Sequence, residues 1–135
     1  MLTDTGPLIA LLDENDQHRA SVVAVTRKLP NAPLVTTWLC FTEAIYFLGQ
    51  EGGWRFQDRL WKLRRDGTLV ILELTSVEAD RMDTLMSQYQ NVPMDAADAS
   101  LVAVAEHWEH RSIFSIDGDF YIYCLADGSY LNVIR

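Results

Sequence analysis

The chain has 135 residues, 49% of them hydrophobic, and a formal net charge of −8. That length and apolar content suit one domain, residues 1–135, and no run approaches the roughly 18 apolar residues that span a membrane. The N-terminal "MLTDTGPLIALLDEND" carries acids where a signal peptide needs basic residues, so a cytoplasmic protein without a membrane partner is expected, and the acidic balance disfavours a general nucleic-acid coat.

In chain order, "MLTD" reads as a short strand, followed by a turn at "TGP" and the apolar piece "LIALL". Asp16 is placed to cap a helix over "QHRASVVAVTRKL". "APLVTT" is strand-like, and Thr37 can cap the helix "WLCFTEAIYFL", with Gly49 placed to stop it. A basic helix is expected from Trp54 to Arg65, ending at Gly67. It gathers Arg55, Arg59, Lys62, Arg64 and Arg65, either to guide a polyanion toward one face or as an ordinary solvated surface.

"TLVILEL" is a continuous apolar run of the kind found in strands covered on both faces. "TSVEADRMDTLMSQY" opens with Thr75 and Glu78 in capping-box spacing. The apolar helix within "NVPMDAADASLVAVAEHWEH" follows, then the strand "SIFSID" and a final strand in "YLNVI". Strands alternating with helices predict parallel βαβ units, with a sheet between helix layers and ligands beyond the carboxyl ends of the strands.

Four acids stand out. Asp4 ends the first strand and Asp117 ends "SIFSID", so adjacent parallel strands would bring the two carboxylates together. Asp98 sits among Ala96, Ala97, Ala99, Leu101 and Val102, where an unpaired carboxylate costs several kcal/mol or is forced to protonate. Glu43 projects from a stripe that includes Leu39, Cys40 and Phe47; an arginine partner is the plain alternative for it, as capping is for Asp4. Asp95, three positions before Asp98, suits a helix N-cap. Like charges gathered at a few ångströms raise one another's pKa unless a cation intervenes; a hard divalent ion is the simplest resolution, and an oxygen-only ligand set points to Mg²⁺ or Mn²⁺ rather than zinc.

Other chemistries find little support. His107 and His110 fall near a helix C-terminus, where they suit the dipole better than a zinc site. Cys40 and Cys124 lie far apart in apolar surroundings, as buried thiols do. There is no nucleotide-binding glycine fingerprint and no P-loop.

The motifs "LTDTGPLIALLDENDQH", "TTWLCFTEAIYFL", "MDAADASLVAVAE" and "FSIDGDF" occur in the order and approximate spacing of a PIN domain, and the chain especially resembles VapC-type ribonuclease toxins. The resemblance implies a three-layer α/β/α fold around a mainly parallel sheet and a metal-dependent endoribonuclease. It implies Asp4, Glu43, Asp98 and Asp117 as catalytic acids, with Asp4, Asp98 and Asp117 holding Mg²⁺ or Mn²⁺. Thr5 and Asp119 match auxiliary positions, Asp95 matches an acid found in some members, and Ser115 stands where many relatives have threonine. An antitoxin protein and a homodimer are the partners it implies, with RNA as substrate. A catalytically silent binding or scaffold protein, and a nuclease acting on DNA, remain the alternatives.

Overall fold

The computed structural model describes residues 1–135. In chain order its elements are β1 (Leu2–Thr3), α1 (Thr5–Leu12), α2 (Arg19–Thr26), β2 (Leu34–Thr37), α3 (Trp38–Gly52), α4 (Trp54–Arg65), β3 (Leu69–Leu72), α5 (Ser76–Gln88), α6 (Ala96–His107), β4 (Ser112–Phe114) and β5 (Asn132–Ile134). A short 3₁₀ turn, Gly118–Tyr121, follows β4. All five strands are parallel, in the order β3-β2-β1-β4-β5. The first strand is short, yet it occupies the middle of the sheet, with β2 on one side and β4 on the other.

Side chains alternate across the sheet, and two cores follow from that alternation. Leu2 and Ile113 point into a cluster with Leu101, Val102 and Val104 of α6 and Leu85 of α5. Phe114, one residue further along β4, packs on the opposite face against Ala10 of α1 and Val22 of α2. On that same side Leu8, Leu34, Phe41, Leu60 and Leu69 join α1, α3 and α4 to β2 and β3. The result is the expected three-layer α/β/α arrangement. No helix is long and apolar enough to cross a membrane.

Several expected boundaries shift for identifiable reasons. The chain does not turn at "TGP": α1 begins at Thr5, directly capped by Asp4, and Pro7 is tolerated because first-turn N–H groups have no intrahelical acceptor. Asp16 does not cap α2. It accepts a hydrogen bond from the His18 N–H within the preceding turn, and the helix starts at Arg19 and ends at Thr26. Gly49 does not stop α3, which runs to Gly52; the reversal falls at Gly53, whose φ of 63° favours glycine. Gly49 serves close packing instead, since a Cβ there would lie 2.4 Å from the Gln57 amide of α4. The run "TLVILEL" is not covered on both faces, because β3 is an edge strand and Val70 is 41% exposed.

Other signals hold. Helix α4 spans Trp54–Arg65 as expected, and Thr37 caps α3 by accepting from the Cys40 N–H. The capping box of α5 is present: Thr75 accepts from the Val77 N–H, while Glu78 accepts from the Thr75 N–H at 2.9 Å. The buried Glu78 also meets His107 Nδ1 at 3.0 Å, joining α5 to the end of α6 and accounting for that histidine without a metal. Both cysteines are free thiols; Cys40 is buried as expected, whereas Cys124 is only half-buried.

Glu78 therefore closes a cap and bridges two helices. Glu78→Gln keeps the reach to the Thr75 N–H and loses only the charge facing His107, whereas Glu78→Ala loses both. Urea denaturation should show about 1–3 kcal/mol lost for the alanine variant and a distinctly smaller loss for glutamine. Equal losses would place the stabilisation elsewhere.

Candidate metal centre

Parallel pairing of β1 with β4 sets Leu2 beside Ile113 and Thr3 beside Phe114, so the residues that follow both strands emerge at the same end of the sheet. Asp4 and Asp117 are brought together in this way. Asp98 arrives from the first turn of α6, and one ligand oxygen from each of Asp4, Asp98 and Asp117 lies within 4.8 Å of the others. The cleft around them is lined by Asp4, Thr5, Gly6, Ile9, Glu43, Phe47, Asp95, Asp98, Ile116 and Asp117. It holds five carboxylates and no basic side chain.

Each acid is fixed from behind. Asp4 accepts from the Thr5 N–H at 2.7 Å through one oxygen and from the Ser115 hydroxyl at 2.8 Å through the other. Ser115 also accepts from the Asp117 N–H at 2.9 Å, so one hydroxyl ties the first acid to the backbone of the last. Asp117 in turn accepts from the Asp119 N–H, capping the 3₁₀ turn. Asp95 is the N-cap of α6, accepting from the Asp98 N–H at 2.8 Å.

Asp98 at the third helical position turns its carboxylate to Tyr123, whose hydroxyl donates to Oδ2 at 2.9 Å. Sequence reasoning misses Tyr123, because nothing in "DFYIYCL" distinguishes a buried donor from an ordinary core aromatic.

Electrostatics reflects this crowding. Burial, followed by the charges of Asp95 and Asp4, pushes the Asp98 carboxyl up to about 8. Asp4 rises to about 6, mainly through burial, with the bonds from Ser115 and Thr5 opposing the rise. Glu43 is raised by burial and by Asp95 and Asp117, with the Thr5 hydroxyl acting in the opposite direction. Asp119 is raised by burial and then by Asp117 and Asp95. The donor set is all carboxylate oxygen, without nitrogen or sulfur, and it carries more negative charge than any side chain in the cleft offsets. Those are the properties a hard divalent cation requires.

The basic helix stands apart from the cleft, since none of Arg55, Arg59, Lys62, Arg64 and Arg65 lines it. Arg59 is engaged at the far end of α1, meeting Glu14 at 2.9 Å and the Leu12 carbonyl at 3.1 Å. Arg65 pairs with Asp58, while Arg64 stacks over Trp38. Arg55 lies over Phe56.

The PIN domain family matches residues 1–124. Among solved structures the chain is similar to the crystal structure of Mycobacterium tuberculosis VapC20, described as a Sarcin-Ricin loop cleaving toxin, with a TM-score of 0.83 and 16% identity over 90% of this chain and 92% of that one. It is also similar to a toxin-antitoxin complex from Klebsiella pneumoniae, with a TM-score of 0.62 and 18% identity over 99% of this chain and 95% of that chain. FitAcB from Neisseria gonorrhoeae has the same TM-score and identity, over 99% and 96%. No match is found among curated proteins. At these identities the structural likeness is one of fold.

Carboxyl groups raised to about 6 and about 8 bind more protons in the folded than in the unfolded chain between their ordinary values and those raised ones, so metal-free stability falls as pH rises through that window. In chelator, Asp98→Asn should therefore be more stable than the parent at pH 8, by roughly 1–3 kcal/mol, and the advantage should shrink toward pH 5. Thermal unfolding across pH measures this. A variant less stable than the parent at every pH would contradict the repulsion.

Proposed function

The chain belongs to the PIN-domain family, and from that premise we propose that it is a Mg²⁺- or Mn²⁺-dependent endoribonuclease, acting as the VapC-type toxin of a toxin–antitoxin pair. The observation that carries this reading is the convergence of Asp4, Asp98 and Asp117 within 4.8 Å in a cleft without a basic side chain. Asp4, Asp98 and Asp117 would hold the ion. When bound, it would supply positive charge to a phosphoryl oxygen and acidify a water.

The chain's own groups divide the remaining work. Ser115 and the Thr5 N–H hold Asp4 in place, and Asp95 fixes the turn that presents Asp98. Glu43 is half-buried in the same cleft with its carboxyl raised, which suits it to take the proton of the attacking water. Asp119 sets Asp117 through its backbone N–H. RNA as the substrate, an antitoxin that covers the cleft and a homodimer are carried over from the toxins that the chain resembles.

Cleavage of a total-RNA pool by the purified protein, with Mn²⁺ or Mg²⁺ against chelator, tests the reading. Asp98→Asn prepared identically should lose activity by about 100-fold or more, the scale on which loss of transition-state charge stabilisation acts. Equal cleavage by both proteins would point to a contaminant. Activity confined to DNA would redirect the substrate, and inactivity of metal-loaded, antitoxin-free parent would favour a scaffold.

The basic helix is proposed to guide the RNA backbone. Arg55, Lys62 and Arg64 have no carboxylate partner within salt-bridge distance, unlike Arg59 and Arg65. Reversing the charge of Arg55 and Lys62 should weaken RNA binding and flatten its dependence on log salt by about 0.7 for each phosphate that is no longer neutralised. An unchanged slope would remove the helix from the RNA path.

A further inference from the structure

Asp98 differs from its two partners in how its carboxylate is held. Asp4 has two donors and Asp117 has a backbone N–H, whereas the only hydrogen bond to the Asp98 carboxylate comes from the Tyr123 hydroxyl. Asp98 also faces repulsion from three carboxylates, Asp95, Asp4 and Asp117. An unrestrained carboxylate would rotate away from those charges.

Tyr123 is built to resist that rotation. It is 1% exposed, and its ring packs edge-on against Tyr89 at 5.2 Å and Phe120 at 5.4 Å. The Tyr89 hydroxyl is engaged elsewhere, accepting from the Cys124 N–H at 2.8 Å. Phe120 belongs to the 3₁₀ turn that Asp117 caps. The segment 117–123 therefore supplies one acid directly and a hydrogen bond to a second through a phenol. With Oδ2 of Asp98 bonded to Tyr123 and Oδ1 of Asp117 to the Asp119 N–H, Oδ1 of Asp98 and Oδ2 of Asp117 are the uncommitted oxygens.

We propose that Tyr123 is a positioning residue of the metal centre, holding Asp98 so that its uncommitted oxygen faces the site shared with Asp4 and Asp117. The inference rests on the metal-site reading above. Hydrogen bonds that orient ligating carboxylates typically contribute 10–100-fold to metal affinity. The phenol is a suitable donor because a tyrosine hydroxyl carries its proton at neutral pH and offers it along a fixed ring direction.

The test is Mn²⁺ binding by the purified chain, followed by calorimetry or by loss of the free-ion electron paramagnetic resonance signal. Parent, Tyr123→Phe, Tyr89→Phe and Asp98→Asn are compared. Tyr123→Phe keeps the ring and removes one oxygen, so it should bind Mn²⁺ about 10–100-fold more weakly while its RNA cleavage is rescued by raised Mn²⁺. Tyr89→Phe deletes a hydroxyl from the same aromatic cluster without touching an acid, and should bind as the parent does. Equal Mn²⁺ affinity in Tyr123→Phe and parent would overturn the positioning role, as would equal weakening by both tyrosine variants, which would assign the effect to packing. A parent that binds no Mn²⁺ would instead overturn the metal-site reading, a failure recognisable without any variant.

Discussion

Mutual repulsion among buried carboxylates is the constraint around which this chain is arranged. Asp4 and Asp98 are both nearly excluded from solvent, and Asp117 stands within ligand distance of each. A chain free to relax would separate them. Here their backbones are fixed by elements that cannot move independently: two neighbouring parallel strands for Asp4 and Asp117, and the first turn of a helix buried along most of its length for Asp98. Hydrophobic packing of α6 between α5 and the sheet supplies the force that holds the charge together.

Polar bonds then decide orientation. Buried hydroxyls recur around the strand ends: Thr36 donates to the Thr3 carbonyl, Thr37 and Ser100 meet at 2.7 Å, and Ser115 bridges Asp4 to the Asp117 backbone. No buried side-chain nitrogen or oxygen lacks a partner. Full satisfaction matters here because a low-dielectric surrounding makes each missing bond expensive and each formed bond directional. The apolar scaffold sets where the acids stand, and the hydroxyls set which way they face.

Legibility in the sequence follows the same division. Local features are readable: Thr37, the Thr75–Glu78 box and Asp95 cap helices through bonds to backbone only a few residues away. The meeting of Asp4 with Asp117 is readable too, because parallel strands place their successors at a common edge. Features that depend on distant packing are not. Gly49 looks like a helix stop, yet only the approach of Gln57 from α4 reveals its purpose. The β3 segment has the composition of a buried strand, but strand order leaves it at an edge. Tyr123 is hidden for the same reason, since its significance lies in a bond across 25 residues and its own neighbourhood is ordinary core.

The distribution of charge poses a last problem, because a protein at −8 with an acidic cleft should repel a polyanion. On the proposed function, two features would act against that repulsion at different ranges. Inside the cleft a divalent ion would cancel part of the carboxylate charge where the phosphate must approach. Farther out, four of the basic residues are absorbed in ion pairs with Glu14, Asp58, Glu106 and Asp127, which leaves α4 with Arg55, Lys62 and Arg64 as its unpaired cations. Screening confines their reach to about 10 Å at ordinary salt. On the proposed reading, a cation at the cleft and Arg55 and Lys62, seven positions apart and so on one face of α4, would act on different phosphates of one strand.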